Sequence, residues 1–154
     1  AASDVYKRQT YYGRGPLENY IDRYSSSFIG RYEDKVENQF YWYIRPQETG
    51  NKTDVRWLAL LNSEGEGVKI TGLQPIAFSA LHFSPEDLDP GLTRKLQHTI
   101  DIVPQKNIFL HVDLKQRGLG GDNSWGMYPY NKYRLLDKKY VYSYMIELAE
   151  KGSD

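Results

Sequence analysis

Cysteine is absent from the 154-residue chain, which excludes a disulfide framework and any chemistry that needs a thiolate. An excess of charge of one sign is absent too, because 20 basic residues balance 20 acidic residues. A neutral chain lacks the basic footprint of a nucleic-acid-binding protein. No apolar run in the sequence reaches the length of a membrane span. We therefore expect neither a nucleic acid nor a membrane as a partner.

Histidine is scarce, and His82, His98 and His111 do not stand at metal-ligand spacing from one another. Neither a nucleophile elbow nor a phosphate-binding loop occurs in the sequence. The glycines at 118 and 120 do not make a dinucleotide fingerprint, because the third glycine and the following helix are missing. We predict that this chain binds no cofactor and no metal ion.

What the chain has in quantity is tyrosine, with 14 residues, and tyrosine favours half-buried sheets. Short β-prone segments alternate with turns, which predicts an all-β, antiparallel β-sandwich. The predicted strands span 40–44, 54–62, 68–70, 76–83, 99–103, 108–115 and 140–148. We expect a turn at 13–16, an irregular connection over 24–38 and the start of a short helix at Ser84-Pro85.

A glycine-rich segment with a single tryptophan follows the strand predicted at 108–115. It reads Gly118-Leu119-Gly120-Gly121-Asp122-Asn123-Ser124-Trp125-Gly126. Glycines at this density indicate positive φ angles or a close approach of the backbone, and the three polar residues can stabilise a turn. Composition leaves two interpretations open at similar odds. Trp125 either folds back onto the core or forms a platform on which a ring can stack.

Three segments resemble motifs of the glycoside hydrolase family 2 β-galactosidases. The tryptophan segment is similar to their GxGGDxSW motif. The segment from Gly13 to Arg23 is similar to G-x-GPxENYxDR, and Pro46 to Gly50 is similar to P-x-E-x-G. The motifs occur in the family's order and cover residues 11 to about 148. The resemblance is to the C-terminal domain of those enzymes, whose fold belongs to a larger, galactose mutarotase-like supersandwich.

The resemblance implies a C-terminal fragment of a retaining enzyme that hydrolyses terminal β-D-galactosides such as lactose. The catalytic glutamates and the magnesium and sodium ligands of the family belong to the barrel, so we assign this chain no catalytic residue. Trp125 is then the substrate-binding residue, supported by Gly118, Gly120, Gly121, Asp122, Asn123 and Ser124. The complete enzyme is expected to be a bacterial-type homo-oligomer with upstream domains, either cytoplasmic or periplasmic.

The resemblance also divides the chain. We predict a domain over residues 11–150 and a tail at 151–154, whereas residues 1–10 form a leader foreign to the family, either an artefact or disordered. Leu58, Leu60, Phe78 and Phe83 are expected to need a partner sheet, which would leave an apolar face exposed. The alternatives to an enzyme fragment are a stand-alone carbohydrate-binding sandwich and a structural domain that makes no sugar contact.

Within the second motif, Glu18 and Asp22 invite comparison with a catalytic carboxylate pair. A structural role is favoured about four to one, in which Arg14 and Arg23 pair with these two acids and stabilise the turn.

Overall fold

The computed structural model describes residues 7–89, 91–93, 97–123 and 125–150. Its strands are β1 (Arg8–Gly15), β2 (Phe28–Lys35), β3 (Lys52–Leu61), β4 (Gly67–Leu81), β5 (Phe109–Asp113) and β6 (Tyr144–Ala149). Its helical elements are α1 (Pro85–Leu88) and the 3-10 turns Val36–Gln39, Gly91–Thr93, Thr99–Asp101 and Asn131–Tyr133. Every strand pairing is antiparallel. The predicted all-β, antiparallel, sandwich-like class is confirmed.

The strands form one sheet in the order β2-β1-β3-β4-β5, and β6 also pairs with β4. β4 is long enough to pair with β5 and with β6 at different points along its length. Its first part pairs with β6 from Gly67 to Gly72, and its last part pairs with β5 from Ala77 to Leu81. The sequence predicted two strands here, at 68–70 and 76–83, and the structure joins them into one. β4 is therefore the strand around which the sheet is assembled.

The main core lies on one face of the sheet. A cross-strand row of side chains runs through Tyr32, Tyr11, Leu58, Ile70 and Ile146 on five strands. The middle three residues of this row are fully buried. Side chains on directly paired strand positions stabilise a sheet by contacting each other on one face. This row therefore holds β1, β3 and β4 in register.

Aromatic packing fills the centre of the core. Phe78 lies edge-on to Tyr11, with 5.2 Å between the ring centroids, and both side chains are buried. Truncating a buried phenylalanine to alanine typically costs about 3–5 kcal/mol. A smaller apolar cluster of Phe40, Leu81, Phe83, Leu88 and Ile102 lies beside the main core. Leu88 enters this cluster from α1, whose capping box at Ser84 and Asp87 matches the predicted helix start.

The apolar residues that we expected to need a partner sheet are covered within the chain. Leu58, Leu60, Phe78 and Phe83 are all buried, so that prediction is wrong for these four residues. Their partners come from distant strands, which the sequence alone did not pair. Among the apolar side chains that are exposed instead, two lie on β6, where Ile146 and Leu148 are 62% and 83% exposed.

Several segments differ from the predicted secondary structure, among them the strand predicted at 140–148, which begins only at Tyr144. β2 occupies Phe28–Lys35, where we expected an irregular connection. It is an edge strand with mostly exposed residues, so it lacks the alternation of apolar and polar residues that identifies strands. The aromatic run at 40–44 forms no strand, because Phe40 packs into the smaller cluster instead. The strand predicted at 99–103 is largely a 3-10 turn.

The first strand changes the predicted domain boundary. β1 begins at Arg8, and Gln9 and Thr10 are buried and paired with Leu60 and Ala59. Residues 8–10 therefore belong to the domain rather than to a leader, and β1 continues to Gly15 through most of the turn predicted at 13–16. The remaining predictions, for residues 1–6 and for the tail at 151–154, lie outside the described residues.

Lys52 is a buried cation at the start of β3. Its Nζ donates to Gln39 Oε1 and to the Gly50 carbonyl, each at 3.0 Å. Burial lowers the pKa of the Lys52 ammonium to about 8 from its usual 10.5, and the charges of Glu18 and Asp34 only partly oppose this shift. The folded chain therefore binds this proton less tightly than the unfolded chain does.

We predict that the free energy of unfolding rises with pH because of Lys52. Between about pH 8 and 10.5 the unfolded state holds more of this proton, so raising the pH favours the folded state. From pH 8 to pH 10 the gain is on the order of 2 kcal/mol. Urea denaturation measures the free energy of unfolding of wild type and of Lys52→Met. The value for wild type minus the value for Lys52→Met should increase by this amount from pH 8 to pH 10.

Comparison with the variant is needed because burial raises the pKa values of Tyr11 and Tyr20. These two tyrosines lower the free energy of unfolding only as the pH rises above 10, and wild type and Lys52→Met both contain them. A difference between wild type and Lys52→Met that is constant from pH 8 to pH 10 would contradict the prediction.

Candidate functional site

Residues 118–126, called the tryptophan loop below, leave the sheet after β5 and present Trp125 to solvent. The Trp125 side chain is 92% exposed. This excludes the interpretation in which Trp125 packs against the core of its own chain. A large aromatic face held away from the core is available for contact with another molecule.

Hydrogen bonds within the loop and to the following segment define its shape. The Trp125 N–H donates to Asn123 Oδ1 at 2.9 Å, and the Gly121 N–H donates to the Met127 carbonyl at 2.9 Å. A hydrogen bond to the Asp122 carboxylate raises the pKa of the Tyr130 hydroxyl. Asn123 thus bonds the backbone of its own turn, Asp122 bonds Tyr130 instead, and Ser124 lies outside the described residues.

The base of the tryptophan loop is attached to a segment almost a hundred residues earlier. The Asp22 carboxylate accepts from the Leu119 N–H at 3.0 Å and from the Gly120 N–H at 2.9 Å. The Arg23 guanidinium donates to the Gly120 carbonyl. The motif at Gly13–Arg23 and the tryptophan motif thus meet directly in the structure.

The preceding residues of the same motif bind the turn at 46–50 and the start of β3. Glu18 Oε2 accepts from the Thr49 hydroxyl and from the Gly50 N–H, each at 2.8 Å. The Asn19 N–H donates to the Asn51 carbonyl and the Asn51 Nδ2 donates to the Asn19 carbonyl, each at 2.8 Å. The Asn19 Oδ1 accepts from the Thr53 N–H at 3.0 Å. One short segment therefore connects all three motifs.

A glutamine completes the connection between the turn and the loop. Gln116, two residues before the tryptophan loop, donates to Glu48 at 3.1 Å and to Asp113 of β5 at 3.2 Å. The three motifs, far apart in sequence, form a continuous hydrogen-bonded region on one side of the domain.

The expected ion pairs of the second motif are only partly present. Arg14 pairs with Asp54, at 2.5 Å from Nε to Oδ2, rather than with Glu18. Arg23 contacts Asp22 at 3.5 Å. Glu18 is engaged instead by Thr49, Gly50 and the Tyr43 hydroxyl. The acids have the structural role that we favoured, but through backbone and hydroxyl donors more than through arginine.

Two glycines allow the tryptophan loop to approach its neighbours. A Cβ on Gly118 would lie 2.6 Å from Asp22 Oδ2, so a side chain there would displace the carboxylate. Gly120 has a φ of +69°, and a Cβ there would lie 2.6 Å from the Met127 carbonyl oxygen. Both positions require glycine, one for space and one for conformation as well.

The described residues contain no group of three or more His, Cys, Asp or Glu side chains arranged to hold a metal ion. Within the same part of the chain, none of the helices combines the length and the apolar character that crossing a membrane requires. The chemical resources of this region are therefore an exposed aromatic ring and a network of hydrogen bonds that supports it.

A comparison with known proteins identifies the family of the chain. The family model described as "Beta galactosidase small chain" matches residues 1–146. The chain belongs to this family. The resemblance drawn from the three motifs is confirmed.

Three β-galactosidases illustrate the similarity of this small chain to whole enzymes. The protein of Priestia megaterium is 39% identical over 126 residues, that of Streptococcus thermophilus 32% over 149 residues, and BgaC of Bifidobacterium adolescentis 33% over 133 residues. These matches cover 82%, 96% and 84% of the chain, but 12%, 14% and 12% of the relatives. The chain thus spans about an eighth of the length of the curated relatives that it matches.

The sequence named the candidate residues of the site but not all of their contacts. It placed Asp22 and Arg23 in a local turn, whereas both also bind the tryptophan loop. It did not single out Tyr130, whose hydroxyl bonds Asp122. A contact between residues 97 positions apart leaves no periodic signal in one sequence, and the order of the family motifs is the only sign that they meet.

We predict that Gly120→Ala loosens the tryptophan loop more than Gly121→Ala does. The two glycines have similar φ angles, +69° and +76°, but a Cβ on Gly121 would meet nothing within 4 Å. Both variants carry conformational strain of about 1 kcal/mol, and only Gly120→Ala must also move the backbone at 127–129. Hydrogen exchange of the Leu119 amide should therefore be faster in Gly120→Ala. Equal exchange in the two variants would contradict the close contact.

Proposed function

We propose that this chain supplies a sugar-stacking surface, Trp125, to the active site of a β-galactosidase. The carboxylates that cleave the bond are provided by other parts of the protein. The observation that supports the proposal most directly is the 92% exposure of Trp125 on a loop whose base is tied to the rest of the domain. A fully exposed tryptophan on an anchored loop is a ready binding surface, because its position is defined before the ligand arrives.

Stacking suits the proposed ligand. The C–H face of a pyranose ring is apolar and packs on an aromatic face, while its hydroxyl groups bond to polar neighbours. Terminal β-D-galactosides such as lactose are the substrates that the family implies. In the complete enzyme Trp125 would orient the sugar, and two carboxyl groups elsewhere would carry out a retaining double displacement.

The two acids Glu18 and Asp22 of the motif at Gly13–Arg23 are engaged in structural contacts rather than arranged for catalysis. Glu18 accepts three hydrogen bonds from side chains and backbone of the 43–50 segment. Asp22 receives one backbone amide on each of its oxygens. Retaining hydrolysis needs two free carboxyl groups about 5–5.5 Å apart on either side of the bond. We therefore propose that catalysis, magnesium and sodium binding, and homo-oligomer formation involve further domains of the complete enzyme.

We predict that the purified 154-residue chain does not hydrolyse a chromogenic β-galactoside. Its motif acids are bonded internally, so proton transfer and nucleophilic attack have no group available there. The assay should compare the chain with a mock preparation and with the complete enzyme at equal concentration. Turnover above the mock preparation would show that the chain carries its own catalytic pair.

We predict that Trp125→Ala in the complete enzyme raises KM for lactose by up to about tenfold and changes kcat much less. A single stacking contact contributes about 0.5–1.5 kcal/mol beyond the buried area, and 1.4 kcal/mol is one factor of ten. An interaction made equally in the ground state and the transition state appears in KM. Steady-state kinetics measure both constants, and Trp125→Phe should recover part of the loss.

Trp42→Ala is the matched control. Trp42 is also a surface tryptophan, but it lies outside the tryptophan loop and packs edge-on against Phe40. Its loss should leave KM for lactose unchanged. If Trp125→Ala leaves both KM and kcat unchanged, Trp125 does not contact the sugar and the proposed function is wrong.

A further inference from the structure

We propose that Asp22 is a positioning residue for Trp125. Its carboxylate binds two consecutive backbone amides at the start of the tryptophan loop and so sets the direction in which the loop presents the ring. The effect on sugar binding rests on the proposed function, whereas the effect on the loop does not.

The geometry at Asp22 restrains both position and orientation. Each carboxylate oxygen accepts from a different amide, Oδ1 from Leu119 at 3.0 Å and Oδ2 from Gly120 at 2.9 Å. A planar group with two separate bonds cannot rotate without breaking one of them. Hydrogen bonds to a charged acceptor are about twice as strong as bonds between neutral groups. The Asp22 side chain is only 7% exposed, so water competes little for these two amides.

The base on which Asp22 stands is itself held in place. Tyr20 and Arg23 exchange backbone hydrogen bonds at 3.2 and 2.7 Å, which closes a tight turn around Asp22. Tyr20 is buried, and Asn19 just before it is bonded to Asn51 of the segment that leads into β3. Asp22 therefore fixes the tryptophan loop relative to the sheet.

The loop is shaped to accept this carboxylate. Gly118 lies so close that a Cβ would meet Asp22 Oδ2 at 2.6 Å and Asp22 Cγ at 2.7 Å. On the other side, the Gly118 N–H donates to the Tyr133 carbonyl at 2.7 Å. Within the turn that carries Trp125, the Trp125 N–H donates to the Asn123 side chain. The direction of the ring thus depends on how the base of the loop is held, and Asp22 holds that base.

A direct catalytic role does not fit Asp22. Both oxygens are occupied by amides, and the side chain is almost fully buried. A general acid or base must reach the proton that it transfers. Asp22 therefore acts through Trp125 and not on the substrate itself.

The test uses Asp22→Asn in the complete enzyme. Asparagine keeps the shape but replaces one acceptor by an N–H donor, which opposes a backbone N–H of the loop. We expect hydrogen exchange in a peptide covering Leu119 and Gly120 to become at least tenfold faster. We also expect KM for lactose to rise several-fold with little change in kcat. Adding Asp22→Asn to Trp125→Ala should raise KM no further, because the ring is already absent.

Asp101→Asn is the matched control. Asp101 also accepts from a backbone amide, that of His98 at 2.7 Å, but it lies in the 3-10 turn at Thr99–Asp101. This variant should change neither the exchange near Leu119 nor KM. Gly118→Ala tests the same contact from the side of the loop and should reproduce both effects of Asp22→Asn. It replaces Asp22→Asn in the test if that variant does not fold.

The possible failures are distinguishable. If Trp125→Ala leaves KM unchanged, the proposed function fails, while faster exchange in Asp22→Asn would still support the attachment of the loop. If Trp125→Ala raises KM but Asp22→Asn alters neither exchange nor KM, the inference is wrong and the proposed function stands. An equal rise in KM with and without the Trp125 side chain would also overturn the inference, since Asp22 would then act by another route.

Discussion

The hydrogen bonding of the segment from Glu18 to Arg23 is the constraint on which the arrangement of this domain depends. Glu18 accepts a backbone hydrogen bond from the turn at 46–50, Asn19 accepts one from the start of β3, and Asp22 accepts one from the tryptophan loop. Backbone donors in two separate parts of the chain, at 50–53 and at 119–120, are thus satisfied by side chains of one short segment. Buried backbone groups must find partners. A short segment rich in acceptors can therefore hold loops that a sheet by itself would leave unsupported.

The sheet gives this segment a stable base. β1 leads directly into it, and β1 is held between β2 and β3 with Tyr11 in the core. At the other end, β4 carries β5, and the tryptophan loop follows β5 in the chain. The loop is thus attached twice, once along the chain through β5 and once through Asp22. Two attachments at separate points define a direction, which one flexible connection could not do.

Packing alone leaves part of the domain uncovered. The row of core residues that begins at Tyr32 and passes through Leu58 ends at Ile146 on β6, where the side chain is mostly exposed. Exposed apolar side chains that continue a buried row are typical of a surface that contacts further protein. The matched relatives are about eight times longer than the matched segment. These two observations support the proposal that the domain functions inside a larger enzyme.

Local patterns predicted the β class and several strands, and the family resemblance predicted the candidate site residues. Strands with clear alternation, such as β5, were predicted because the period of two residues is a local property. The capped start of α1 depends on neighbouring residues and was predicted for the same reason. The edge strand β2 and the irregular course of 40–44 were not, because pairing and burial decided them against the local pattern.

The contacts that the motif residues make depend on the fold of the whole chain. The sequence named Asp22, Gly118 and Trp125, but it could not show that the first binds next to the second and that the third is exposed. It also assigned the wrong partner to Arg14, which pairs with Asp54 on the neighbouring strand β3. Local patterns reflect the preferences of a few adjacent residues. A contact across about a hundred residues depends instead on the whole chain having folded, and the presentation of Trp125 depends on such a contact.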